Sequence, residues 1–191
     1  MRKRLRWFMM PVLLVWIIGT MALGAFGSEY DAVYTVTSGR ETINQKMYFK
    51  NADKLRLEMS TKQGAVKVIT RLDKNVSWML IDEQKMYMEQ QIDPQAVKQY
   101  RCDPEKAKKT GTEKVLNYNC DIFEYVDGKQ TCKYWMVPNV MAIARTLILE
   151  NGTEKFRMEA TEINLRKQAD SLFEIPSGYQ KLSLNLKIPK Q

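Results

Sequence analysis

From Ser28 onward the chain repeats one kind of segment, a short run of alternating apolar and polar residues broken by turn residues about every 8–12 positions. This rhythm confines the fold to antiparallel sheet architectures, because a period of two sends successive side chains to opposite faces and the short runs leave no room for long helices. Residues 54–60 (KLRLEMS) show it most clearly, with Leu55, Leu57 and Met59 on one face and Lys54, Arg56 and Glu58 on the other. The same pattern predicts strands over 30–37, 42–50, 66–70, 76–81, 85–88, 112–116, 119–126, 130–137 and 153–165. Asn51-Ala52-Asp53, Gln63-Gly64 and Asp73-Lys74-Asn75 supply turns between them.

Two stretches depart from the rhythm. Residues 93–109 (DPQAVKQYRCDPEKAKK) are poor in β-branched residues and place Pro94 directly after a potential N-cap, Asp93, which predicts a short helix; the second Asp-Pro, at Asp103-Pro104, breaks and restarts it. Residues 138–148 (PNVMAIARTLI) fit a helical turn and an irregular crossing segment equally.

The N-terminus sets the compartment. MRKRLRW is a basic region, and the apolar run that follows ends in small residues around Ala25-Phe26-Gly27, the pattern of a cleaved secretory signal over residues 1–27. The alternative is an uncleaved anchor, since the run approaches the length of a spanning helix. Cleavage leaves 28–191, one domain in a periplasmic or secreted location. It also removes Arg2, Lys3, Arg4 and Arg6, so the net charge falls from +8 to +4. The remaining Lys and Arg are interleaved with Asp and Glu, which argues against a nucleic-acid partner.

Chemistry is conspicuous for what the residues do not offer. The chain has no histidine, and so lacks the commonest general base and the commonest zinc ligand. No phosphate loop, paired CxxC or EF-hand spacing occurs, so no cofactor or metal is expected and the chain reads as a non-enzyme. The carboxylate pairs Asp82 with Glu83 and Glu150 with Glu154 fall at turns, where such groups are ordinarily just solvated. Three cysteines permit one bridge in an oxidising compartment. A hairpin turning at Asp127-Gly128 places Cys132 opposite Phe123 and Cys120 on the other side of the sheet, so Cys102–Cys120 is the expected pair.

The stretch VSWMLIDEQKMYMEQQ (76–91) is apolar on both faces. One turn length sets Met79 and Ile81 against Met88 and Met86, and another sets Trp78 and Leu80 there. Either way one face suits a core, and the other needs a helix, a sheet or a ligand to cover it. Eight methionines follow the leader, several on strands, and the flexible thioether suits both an adaptable apolar surface and the filling of irregular core gaps.

The segments YFKNADKLRLEM (48–59), MLIDEQKMYME (79–89), GTEKVLNYNCDIFEY (111–125) and LFEIPSGYQKL (172–182) resemble an uncharacterised bacterial family of exported proteins that looks like a branch of the LolA/LolB-like periplasmic lipoprotein carriers. The resemblance implies a mainly β (α+β) fold, a curved antiparallel half-barrel of about 10 or 11 strands with short helices against its concave face. It also implies an apolar cavity able to hold acyl chains, and carries over no named residue. The expected function is a periplasmic carrier or binding protein for a lipid or an acylated lipoprotein, with Leu55, Leu57, Met59, Trp78, Leu80, Met86, Met88 and Trp135 lining the cavity or the core beside it. The alternative is a non-enzymatic envelope protein with a packed interior that docks other envelope proteins.

Overall fold

The computed structural model describes residues 29–51, 53–61, 64–92 and 106–182. The expected leader, the helix start at Pro94 and Cys102 lie outside the described residues. Twelve strands were found: β1 (Glu29–Ser38), β2 (Glu41–Lys50), β3 (Lys54–Thr61), β4 (Gly64–Arg71), β5 (Val76–Ile81), β6 (Met86–Gln91), β7 (Lys108–Val115), β8 (Tyr118–Asp127), β9 (Gln130–Val137), β10 (Ala142–Glu150), β11 (Thr153–Asn164) and β12 (Gln180–Lys181). They form one sheet in the order β12-β6-β5-β4-β3-β2-β1-β11-β10-β9-β8-β7. Two antiparallel meanders, β1–β6 and β7–β11, are thus joined by pairing of the first strand with β11. The two-residue β12 adds in parallel to β6.

Three expectations are corrected. Among the described residues the strands number twelve. Among the described residues the helical elements are three short 3-10 turns and no α-helix. Residues 142–150 form a central strand flanked by β9 and β11, where two-sided pairing and burial of Ala142, Ile143 and Ala144 override the modest β preference of alanine.

The sheet is open but not flat. Register shifts interrupt β1–β11, β10–β11, β9–β10 and β7–β8, whereas the ladders from β1 to β6 run without one. A bulge bends its strand and increases local twist, so curvature concentrates in the C-terminal meander. The Tyr118 hydroxyl on β8 donates to the Ile163 carbonyl on β11 at 3.2 Å, although three strand spacings in a flat sheet would be about 14 Å.

The β4–β5 and β5–β6 hairpins close alike, each with a 3-10 turn followed by a left-handed residue, Asn75 (φ 52°) and Lys85 (φ 48°). These loops fix the register that sets Met79 opposite Met88 and Ile81 opposite Met86. The β8–β9 hairpin turns one residue later than expected and pairs Cys132 with Tyr125, not Phe123. Cys120 is a buried free thiol and Cys132 is the disulfide-bonded cysteine, which overturns the expected Cys102–Cys120 bridge.

Candidate functional site

Reading partners across the ladders gives the composition of each face. One row runs Val66–Met59–Gln45–Tyr34–Ala160 from β4 to β11, and the next runs Met88–Met79–Val68–Leu57–Met47–Ala32–Ile163. Flanking them are Gln90–Ser77–Thr70–Leu55–Phe49–Tyr30 and, at the other end of the strands, Ile43–Val36–Met158–Thr146–Tyr134–Phe123. From β6 to β8 these four rows hold no Asp, Glu, Lys or Arg; Lys109 on the edge strand β7, opposite Phe123, ends the last of them. We call this the core face, because the largest buried cluster lies on it.

Burial on the core face is graded. Tyr34, Met47, Leu57 and Met158 are 0–2% exposed, while Ile43, Val66, Met79, Met86 and Met88 are only half-buried. Four of these five fall on β4–β6, and Phe123 on β8 is half-buried as well, so the face is more accessible toward both sides of the sheet than at its centre. Gln45 and Thr146 are the polar exceptions at its buried centre.

The opposite face is closed by the chain itself. After β11 a strap, residues 165–182, runs back across the first meander and is clasped by successive strands. On β1 the fully buried Asp31 carboxylate accepts from Arg166 at 2.5 Å, Asn164 at 3.2 Å and Gln168 at 3.3 Å. From β2 the Lys50 ammonium donates to the Gln168 carbonyl at 2.9 Å, and Lys50 and Lys54 both pair with Asp170. Arg56 on β3 donates to the Leu172 carbonyl at 3.1 Å, and Arg71 on β4 donates to the Phe173 carbonyl at 3.3 Å and pairs with Glu174. The Tyr179 hydroxyl donates to Asp82 at 2.6 Å, and Asp82 also pairs with Lys67. Backbone bonds from Gln180 and Leu182 to the Lys85 and Tyr87 carbonyls end the crossing.

Beneath the strap, Phe173 is 0% exposed and packs with Ile69, Val76, Trp78 and Leu80, with Leu172, Ile175 and Tyr179 around it. This answers the question posed by the doubly apolar hairpin: the second face is covered by the strap. The clasps also set the electrostatics. Burial alone would raise the Asp31 carboxyl, but bonds from Arg166, Asn164 and Gln168 outweigh it and hold the group below the ordinary carboxylate range. Asp82 behaves alike, with burial offset by Lys67 and Tyr179. Glu89 is lowered by the Lys181 ammonium and the Trp78 indole N–H.

The eight residues expected to share a cavity are therefore divided. Leu55, Leu57 and Met59 are buried on the core face, and Met86 and Met88 are half-buried beside them. Trp78 and Leu80 lie on the strap face. Trp135 on β9 is buried in the same cluster as Leu55, Leu57 and Met59; the Arg145 guanidinium lies 4.9 Å from its ring, and its indole donates to Glu113 at 2.6 Å. Of the turn carboxylates, Asp82 is a strap clasp, and Glu154 pairs with Arg157 at 2.6 Å. Among the described residues no cluster of three or more His, Cys, Asp or Glu is placed to hold a metal. A groove of about 310 Å³ crosses β1–β4 on the strap face, between the row Val33–Lys46–Glu58–Lys67 and the row Asn44–Ser60–Ala65. Lys46, Glu58 and Lys67 are the charged part of its lining, and Gln45, Met59 and Val66 of the core-face row also border it.

An open antiparallel sheet of this topology defines a class seen in solved structures of low sequence identity, for which the likeness shows the fold alone. An uncharacterized conserved protein from Thermus thermophilus aligns with a TM-score of 0.60 at 10% identity, covering 87% of this chain and 96% of that one. A chain of the Pseudomonas aeruginosa MucA/MucB complex aligns at 0.56 with 11% identity over 82% of this chain, which spans 59% of its length. The LolA superfamily protein NE2245 from Nitrosomonas europaea aligns at 0.40 with 6% identity over 83% of this chain and 94% of its own, too loosely to carry cavity geometry across. Among curated proteins none matches the chain. The chain belongs to the DUF4412 family, described as a domain of unknown function, whose model matches residues 33–148.

Proposed function

We propose that this protein is an exported, non-enzymatic binding protein of the cell envelope that takes an acyl chain of a lipid or acylated lipoprotein against its core face. The observation that carries the reading is the uncharged face itself, which runs from a fully buried centre to the half-buried residues Met79, Met86 and Met88. A hydrocarbon chain laid there loses no charge hydration and gains about 25 cal/mol for each Å² of apolar surface removed from water, before ordering costs. Flexible thioethers suit ligands of variable shape. The basic, apolar N-terminal pattern supports an envelope location.

Met88→Asp tests this directly. It places a charge on the half-buried end of the face, where the residue opposite, Met79, offers no cation. A folded variant that has lost binding of an acyl-chain probe supports the reading, and a folded variant with unchanged binding contradicts it.

A second reading is a protein-docking role with the interior simply packed. It is favoured by the near-complete burial of Tyr34, Met47 and Met158, and by the fold shared with a chain of a complex containing MucA and MucB. Co-purification of a stoichiometric protein partner, with no acyl compound bound, supports that alternative.

A further inference from the structure

The two edges of the sheet are finished differently. At one, β12 adds to β6 and the end of the strap is bonded beside it. At the other, β7 ends the strand order, and among the described residues no strand pairs with its outer side. Lys108, Lys109, Thr110, Thr112, Glu113 and Lys114 are all exposed, so neither face of β7 is covered along most of its length. An edge strand turns the backbone N–H and C=O of alternate residues outward, and proteins ordinarily shield that row with long charged side chains, proline or a bulge. Here the bulge falls between Lys109 and Gly111, and the run after it, Gly111–Val115, pairs regularly with Ile122 to Tyr118 on β8. No proline interrupts β7, and its centre, Thr110-Gly111-Thr112, carries no long side chain. The lysines stand toward its two ends, which leaves the middle of the backbone row accessible.

The charges on β7 are unevenly compensated. Glu113 accepts from the Trp135 indole at 2.6 Å and from Arg145 at 3.1 Å, and Lys109 pairs with Asp121 at 2.8 Å. Lys108 and Lys114 have no ion pair among the described residues. We propose that the outer edge of β7 takes an extended acidic segment of a partner protein as an added strand, with main-chain bonds along Gly111–Val115 and carboxylates beside Lys114 at one end and Lys108 at the other. Charge chooses this occupant over a second copy of the chain. Two-fold pairing centred on the small residues would bring Lys108 and Lys109 of each copy against Lys114 of the other, and like charges set opposite each other are destabilising. An acidic segment relieves the same repulsion. The inference does not rest on the acyl-binding reading, because β7 lies at the edge of the sheet opposite to β5 and β6, which carry Met79, Met86 and Met88.

The test is NMR titration of the isotopically labelled mature protein at neutral pH with two end-blocked peptides, each an alternating threonine–valine stretch flanked on both sides by glutamates in one and by lysines in the other. The proposal expects the acidic peptide to shift the amide signals of Gly111–Val115 and slow their hydrogen exchange, with an affinity that falls as salt is raised. The double variant Lys108→Glu, Lys114→Glu changes two exposed side chains and is expected to fold like the parent. It should bind the acidic peptide about tenfold more weakly, the scale of two exposed ion pairs turned repulsive, and should prefer the basic one. Acidic peptides N-methylated at alternate residues, in the two possible phases, separate strand addition from charge attraction: one phase blocks the edge that meets β7 and loses binding, while the other retains it. No shift on β7, equal binding of the acidic and basic peptides, or equal binding of the two N-methylated phases overturns the proposal. Slowed exchange along β7 in the protein alone, growing with its concentration, overturns it in favour of a second copy.

Discussion

Replacing Phe173 by alanine probes the contact on which the strap depends. The ring is 0% exposed and packs on Ile69, Val76, Trp78 and Leu80. Phe-to-Ala changes at buried sites cost about 3–5 kcal/mol, the transfer free energy of the ring plus the cavity it leaves. The lower end of that range applies here, because the strap is a single segment lying on the sheet and can settle partly into the gap. A loss of about 3 kcal/mol is nevertheless a large part of the stability of one domain. The clasps to Asp31, Arg56, Arg71 and Asp82 remain, so the variant keeps its sheet and opens locally over β4 and β5. Trp78 is only 7% exposed and lies under the ring, which makes it the reporter. In a chain lacking residues 1–27 the other tryptophan is Trp135, and changing it to Phe isolates the signal. The assay combines denaturant unfolding with acrylamide quenching of Trp78. The expected result is a loss of about 3 kcal/mol together with increased quenching in the native baseline. A loss below about 1 kcal/mol with unchanged quenching would refute the claim that the strap covers this face.

Two further outcomes follow from the clasps and the cysteines. Asp31, Asp82 and Glu89 titrate below the ordinary carboxylate range in the folded protein, so their stabilising contribution is complete above about pH 4 and is lost as pH falls through the lowered folded values. Acid titration of Trp78 quenching should therefore show strap release below about pH 4, and release near neutrality would contradict the carboxylate origin. Cys120 is free and buried, with burial raising its thiol pKa, so Cys120 should resist alkylation in the native protein and be modified on unfolding without reductant. A mapped Cys102–Cys120 peptide would contradict the structure, in which Cys120 is free.

Much of the fold was legible because the core face obeys a period of two. The alternation of Leu55, Leu57 and Met59, and of Phe156, Met158 and Ala160, gave both the strands and their buried sides. One of the two hairpin pairings weighed, Met79 with Met88, is the pairing found. The strand at 142–150 was not legible, because its Ala and Arg residues follow a Pro-Asn turn and its identity comes from neighbours on both sides. Nor was the strap, since FEIPSGY has no periodicity and its contacts join Arg71 to a carbonyl 102 residues away. Trp78 and Leu80 were accordingly placed with the wrong neighbours. Gln45 could have been noticed as the polar residue among Ile43, Met47 and Phe49 on one side of β2. That its side-chain oxygen lacks a partner depends on what crosses β1 to meet it, which no local pattern encodes.

The central claim is that the uncharged core face holds an acyl chain. Native mass spectrometry of the mature protein, purified from its own cell envelope without detergent and followed by solvent extraction, tests it most directly. The account predicts a one-to-one adduct that yields an acyl compound on extraction and is lost in Met88→Asp. A clean apo mass that stays unchanged after incubation with lipids and lipopeptides would contradict it, and would mean that the methionine-rich face is ordinary core.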